Sequence, residues 1–203
     1  MRVLIACEYS GTVRDAFRRL GHDAMSCDLL PTDVDGPHYQ GDVFDVIDDG
    51  WDLMIAHPPC TYLSNAGACR MYPTKGVINP ERYEKALEAK EFFMRLLSSN
   101  INKICIENPL PLSVVGLPKP NQIIQPHMFG EPFTKKTLLW LKNLPELKAT
   151  SDLKSVAVPF LPSGTSRKQG GKSLGAAKRG DDAKIRSKTF QGIADAMANQ
   201  WGV

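Results

Sequence analysis

No Cys-x-x-Cys pair occurs in this sequence, and its 5 cysteines (Cys7, Cys27, Cys60, Cys69 and Cys105) are odd in number. Both facts argue against a disulfide framework or a structural zinc and for a reducing, cytoplasmic setting. No signal-peptide pattern precedes the first strand-like run, and no apolar run approaches the length of a membrane span. Charge of one sign is also missing: 25 Lys and Arg against 22 Asp and Glu leave a net charge of +3, too small to imply a nucleic-acid partner by itself. No internal repeat appears, and no composition shift marks a second domain. At 203 residues with 42% hydrophobic and 23% charged residues, the chain suits one compact α/β domain with a proper core.

What is present begins with Arg2-Val3-Leu4-Ile5-Ala6-Cys7, a nearly continuous apolar run that reads as a strand buried on both faces. A turn over Glu8, Tyr9, Ser10 and Gly11 follows. Val13, Ala16, Phe17 and Leu20 then recur at helical spacing, and Gly21 stands where a helix C′ glycine belongs. Residues 23–28 read as a second strand with Asp28 at its tip. This strand–turn–helix–strand–acid unit is the front half of a nucleotide-binding α/β fold. Gly11 stands alone, with no G-x-G-x-x-G around it, which leaves little support for a dinucleotide site.

Residues 29–40 read as loop, and residues 41–44 as a strand end or turn. The clearest helix spans residues 80–99, with Pro80 at its first position and a stripe of Tyr83, Ala86, Leu87, Lys90, Phe93, Met94 and Leu97. Residues 103–107 form another strand pattern. Residues 110–132, rich in proline, read as irregular, a wall of the site or a substrate loop. Residues 137–141 and 155–158 suggest late strands. Residues 163–186 form a basic, glycine-rich segment that includes Arg167, Lys168 and Arg186 and is expected to be flexible. An amphipathic helix with Ile193, Ala194, Met197 and Trp201 inward closes the chain.

The chemistry centres on residues 51–64. An apolar run, Leu53-Met54-Ile55-Ala56, breaks at His57-Pro58-Pro59 and delivers Cys60 directly behind two prolines. Proline fixes φ and restricts the residue before it, so this turn is stiff. It would hold a thiol at the carboxyl edge of the sheet, where open α/β folds carry their chemistry. A cysteine taken at random is more often a small buried hydrophobe. Here polar Thr61, Ser64 and Asn65 follow it, which favours a nucleophile. Glu107 ends the strand pattern 103–107. If that strand lies beside the one over 51–56, Cys60 and Glu107 open on one cleft, and a partly desolvated glutamate there, its pKa raised, could donate a proton or hydrogen bond to a ring nitrogen. Alone, Glu107 reads equally well as a surface residue at a strand end. Asp28 stands where such folds bind ribose hydroxyls, and Asp42 could accept from an adenine amino group. Each is also an ordinary turn or cap residue.

These residues together resemble the DNA cytosine-5 methyltransferase family, in the compact form found in phage and prophage genomes. Pro59-Cys60 matches the family's catalytic Pro-Cys. Glu107-Asn108 matches its Glu-Asn-Val, with Pro109 in place of Val. Residues 6–11 match its cofactor turn, and residues 189–194 its closing motif. The resemblance implies a Rossmann-like S-adenosylmethionine-dependent methyltransferase domain, α/β with a mixed, mostly parallel sheet, spanning residues 1–203. It implies S-adenosylmethionine held by Cys7, Glu8, Tyr9, Gly11, Asp28, Asp42, His57 and Pro58. It also implies a flipped pyrimidine in nucleic acid, DNA first, held by Ser64, Asn108, Lys135, Lys136, Arg167, Lys168 and Arg186, with no membrane or metal partner. Cys60 would add to carbon 6 and Glu107 would hold ring nitrogen 3 and the amino group.

Three departures stand against the family pattern. The cofactor turn lacks paired glycines, the Gln-x-Arg-x-Arg element is missing, and there is no large target-recognition region. Two further readings follow. His57-Pro58-Pro59-Cys60 also resembles the Asp/Asn-Pro-Pro-aromatic motif of amino methyltransferases, in which the first residue and the proline carbonyls orient an exocyclic amine. The fold could also be kept as a non-catalytic, nucleic-acid-binding or inhibitory module.

Overall fold

The structure is a computed structural model that describes residues 1–160 and 185–203. Strand β1 (Arg2–Ala6) feeds helix α1 (Thr12–Arg19), which returns through β2 (Asp23–Asp28). An edge strand β3 (His38–Gln40) and β4 (Leu53–Ala56) follow. A short helix α2 (Ala68–Met71) and the long α3 (Pro80–Leu97) lead to β5 (Lys103–Asn108) and β6 (Gln122–Ile124). The chain then forms β7 (Phe133–Thr134), β8 (Thr137–Lys142) and β9 (Val158–Pro159), and ends in helix α4 (Gln191–Trp201).

Seven strands form one sheet in the order β3-β2-β1-β4-β5-β8-β6. The first five are parallel, while β8 runs antiparallel to both β5 and β6. The expected mixed, mostly parallel sheet is therefore what forms. Its parallel strands are apolar throughout because both faces are covered. Leu4, Met54, Ile104 and Trp140 face one layer with Ala86, Phe93 and Leu96 of α3. Val3, Ile55, Cys105 and Leu139 face the other, with Phe17 of α1 and Ile193, Met197 and Trp201 of α4. Among the described residues no helix is long and apolar enough to cross a membrane.

Several local expectations change. The loop over 29–40 ends in strand β3, whose Ser26↔His38 register brings Ser26 Oγ to 2.9 Å from His38 Nδ1. Its first part is pinned by the fully buried Arg14, which donates to the carbonyls of Val34 (3.2 Å) and Asp35 (3.1 Å). The proline-rich stretch 110–132 contains β6, held by antiparallel pairing with β8. Of residues 155–158 only Val158 enters a strand, since residues 154–156 make a 3-10 turn. On α3 the buried face is Ala86, Phe93 and Leu96, and Leu87 and Met94 turn outward, because the sheet lies one residue further round the helix than the predicted stripe. The basic segment, with Arg167 and Lys168, falls almost wholly outside the described residues.

Candidate active site

β4 and β5 are parallel neighbours in register Leu53↔Lys103 to Ala56↔Ile106, so their carboxyl ends open side by side. β4 ends in His57-Pro58-Pro59-Cys60, and β5 ends in Glu107-Asn108. The turn after Cys60 is tight: its carbonyl accepts from the N–H groups of Leu63 (3.2 Å) and Ser64 (2.9 Å). Asn108 Nδ2 donates to the Pro58 carbonyl at 3.0 Å and ties the two strand ends together. Cys60 is exposed. The protein crowded round it and the charge of Glu107 push its thiol above the ordinary value, while the nearby cations Lys135 and Arg186 oppose that rise. The strand ends that carry Cys60 and Glu107 are neighbours, as expected, and the Glu107 charge reaches the thiol.

Glu107 is more buried than a surface strand end would be. Its Oε2 lies 2.9 Å from His57 Nδ1, with side-chain exposures of 16% and 9%. Burial by itself would raise the carboxyl. The desolvated, raised carboxyl expected from the sequence is not what forms: the hydrogen bond and charge of His57, with Lys135 and a hydrogen bond from Thr137, outweigh burial and hold Glu107 below its ordinary range. Burial by itself would lower His57. The bond and charge of Glu107, with Glu8, lift it above its ordinary value. Lys135 is pushed down by burial and by Arg186. Its Nζ donates to the Arg186 carbonyl at 2.7 Å, bringing that residue to the site through its backbone. Lys136 is exposed, so of the two adjacent lysines Lys135 is the one that meets Cys60 and Glu107.

Beside this cluster lies a cavity of about 230 Å³ lined by Cys7, Cys27, Asp28, Gly41, Asp42, Pro59 and four apolar side chains. Those four, Leu29, Val43, Ala89 and Phe92, carry no polar motif that would have marked them in the sequence. Both acids do double duty. Asp28 Oδ1 accepts from the Leu30 N–H at 2.9 Å, and Asp42 Oδ1 accepts from the Phe44 N–H at 3.0 Å and caps a short turn. A smaller cavity of about 60 Å³ shares Cys7 and adds Glu8, Tyr9, Ser10, His57, Ser187, Lys188 and Thr189. Cys7 has φ 58, a left-handed conformation that side chains rarely adopt, and it lines both cavities. It is half-buried, whereas Cys27 and Cys105 are core residues.

Other predicted contacts have structural duties. Glu8 is buried, and its carboxylate caps α1, accepting from the Val13 N–H (2.8 Å), the Arg14 N–H (3.2 Å) and Ser10 Oγ (3.1 Å). An anion at a helix N-terminus satisfies the orphan donors there. Gly11, at φ 72, makes the turn into that helix. Tyr9 is engaged through its hydroxyl, 2.9 Å from Ser187 Oγ. Ser64 is buried and caps the next turn through Ala66 N–H at 3.1 Å. Pro58 is buried beneath Asn108, and the exposed Pro59 lines the cavity in its stead.

No family model and no curated protein matches the chain. Among solved structures it is similar to a candidate DNA modification methyltransferase encoded within a prophage of E. coli, at TM-score 0.44 and 15% identity over 70% of this chain and 46% of that one. It is also similar to the Entamoeba histolytica methyltransferase EhMeth, at TM-score 0.46 and 13% identity over 75% of this chain and 57% of that one. The chain thus spans about half the length of each.

Proposed function

We propose that this chain is an S-adenosylmethionine-dependent methyltransferase acting on carbon 5 of a pyrimidine, cytosine in DNA first, through a covalent adduct at Cys60. The observation that carries the reading is the meeting of Cys60 and Glu107 at the shared ends of β4 and β5, beside a cavity bearing Asp28 and Asp42. The cavity fits a nucleoside: Leu29, Val43 and Phe92 offer apolar walls to a base, and the two carboxylates offer acceptors to ribose hydroxyls and an amino group. Bound there, S-adenosylmethionine supplies an electrophilic methyl group.

The chain's own residues do the rest. Cys60 Sγ, once deprotonated, forms a bond to carbon 6 and pushes electron density onto carbon 5 and nitrogen 3. Glu107 accepts from the amino group, and the proton that leaves Cys60 is shared between its carboxyl and nitrogen 3, with Lys135 beside it offsetting the remaining charge. After methylation, a solvent base takes the carbon-5 proton, the carbon 5–carbon 6 double bond re-forms and the thiolate leaves. In the amino-methyltransferase reading His57 and the proline carbonyls would orient an amine. The His57 ring is instead turned to Glu107 and the Pro58 carbonyl is taken by Asn108, which weighs against it.

DNA carrying 5-fluorocytosine, incubated with the protein and labelled S-adenosylmethionine, tests the reading. A covalent band that disappears in Cys60→Ala supports it, and a band on RNA alone moves the acceptor. If Cys60→Ser keeps methylating an amine, the alternative chemistry holds. No binding of millimolar S-adenosylmethionine by calorimetry would favour a non-catalytic module.

A further inference from the structure

His57, with its side chain only 9% exposed, is a polar group that the proposed chemistry leaves without a task. Its backbone N–H donates to the Ala6 carbonyl at 2.9 Å, which fixes the residue at the end of β4. Its Nδ1 lies 2.9 Å from Glu107 Oε2, and a carboxylate only accepts, so Nδ1 carries the proton. Its Nε2 is buried with no hydrogen-bond partner among the described residues. An apolar side chain would fill the same space without stranding a nitrogen, so the ring's presence is explained by what Nδ1 does.

The groups that face this pair come from every element packed against it. Glu8 acts on His57 from the turn after β1. Lys135 acts on both partners from the approach to β8, and Thr137 bonds Glu107 from β8 itself. Cys60 stands in the field of Glu107 from the exit of β4, and Arg186 in that of Cys60 and Lys135 from the segment before α4. A glutamate at an open strand end has several rotamers to choose from. Glu107 is bonded by a rigid ring that is itself anchored to β1.

We propose that His57 is a positioning residue, holding the Glu107 carboxyl in one orientation at the end of β5, beside the turn that presents Cys60. This deepens the reading of Glu107 as the group that grips the pyrimidine and rests on it. His57 acts through Glu107, so its loss would change how the base is gripped and leave the cofactor cavity beside Asp28 as it is.

Two variants and two readouts test it. The titration of Glu107 is followed by carbon-13 NMR of the side-chain carboxyl in the wild type, His57→Ala and His57→Asn, assigned with Glu107→Gln. Asparagine places an amide donor near the Nδ1 position and restores the bond without the charge. Glu107 should titrate higher in His57→Ala and at an intermediate pH in His57→Asn. On fluorocytosine DNA, the rate of adduct formation should fall roughly 10- to 100-fold in His57→Ala, the scale of a misplaced catalytic group, with the dissociation constant for S-adenosylmethionine unchanged. His57→Asn should recover most of that loss. An unmoved Glu107 titration, or a defect confined to S-adenosylmethionine affinity, overturns the proposal and makes His57 a cavity wall. If the wild type forms no adduct at all, the methyltransferase reading falls while the titration still decides the pairing. Should His57→Ala not fold, His57→Asn alone carries both readouts.

Discussion

Asn108 Nδ2 donates to the Pro58 carbonyl at 3.0 Å, a bond inside the protein between the end of β5 and the turn that presents Cys60. Pro58 and Pro59 have no N–H groups, so this turn has few ways to be anchored by its own backbone. Asn108 is 1% exposed, and its amide takes the Pro58 carbonyl where no water reaches. Replacing Asn108 by Ala strands that carbonyl, and an unsatisfied buried acceptor costs about 1–3 kcal/mol. Urea unfolding should show the loss. Wild-type stability in Asn108→Ala would mean that the prolines alone hold the turn.

The His57–Glu107 pair makes a pH-dependent contribution to stability with two edges. His57 titrates above its ordinary 6.5 in the folded chain, so its contribution is full below that value and is lost as pH rises through the raised folded value. Glu107 titrates below its ordinary 4.5, so its contribution is full above that value and is lost as pH falls through the depressed folded value. The stability difference between wild type and Glu107→Gln should therefore be greatest between these two ordinary values and shrink on both sides. Denaturant unfolding at a series of pH values measures it, and a difference flat from about pH 3 to about pH 9 would contradict the pairing.

Gly192 is where α4 comes against the preceding structure. A Cβ built there would sit 1.8 Å from the Phe129 carbonyl oxygen and 2.9 Å from its carbon, both backbone atoms. Backbone cannot step aside as a lysine tip can, so Gly192→Ala must shift the start of α4 away from the turn at residues 126–129. Overpacking of this kind costs about 1–3 kcal/mol, occasionally more. Thermal unfolding should show a lower Tm in Gly192→Ala, whereas a change at the exposed Gly76, where a Cβ would meet nothing within 4 Å, shows only the strain of its φ of 79.

The parts of this fold that were legible in sequence are those whose physics is local. Unbroken apolar runs such as Val3-Leu4-Ile5-Ala6 say strand because no other element is short and apolar on both faces. Pro80, Gly21 and the 193–201 spacing mark helix ends and faces by the same local rules. Cys60 and Glu107 were legible as a pair because parallel neighbours bring their carboxyl ends together. What was hidden depends on distant partners. Arg14 reads as one more charge on an amphipathic helix until Val34 and Asp35 fold over it. Glu8 looks like a ligand for a cofactor until its carboxylate is seen capping α1. The bond from His57 to Glu107 crosses 50 residues of sequence, and no spacing rule reaches that far. Leu29 and, from α3, Ala89 and Phe92 line the cavity from two distant segments, which only the finished sheet assembles.

Cys60 carries the last prediction, since its charge state is set by neighbours that can be removed one at a time. Crowding by protein and the Glu107 charge hold the thiol above its ordinary 9.0, and Lys135 and Arg186 pull it down. Thiolate is the reactive form, so the rate of alkylation by iodoacetamide at Cys60 should keep rising with pH beyond that value. Glu107→Gln removes the opposing charge and should speed alkylation at neutral pH, while Lys135→Ala should slow it. Each change of one unit in the thiol's titration is worth about a factor of ten in thiolate. Mass spectrometry separates the Cys60 peptide from that of Cys69, the other exposed cysteine, which serves as the reference within each sample. Lys135→Ala should lower the Cys60-to-Cys69 ratio and Glu107→Gln should raise it. If both variants leave the ratio where the wild type has it, neither charge reaches the sulfur, and the thiol must draw its activation from the bound substrate.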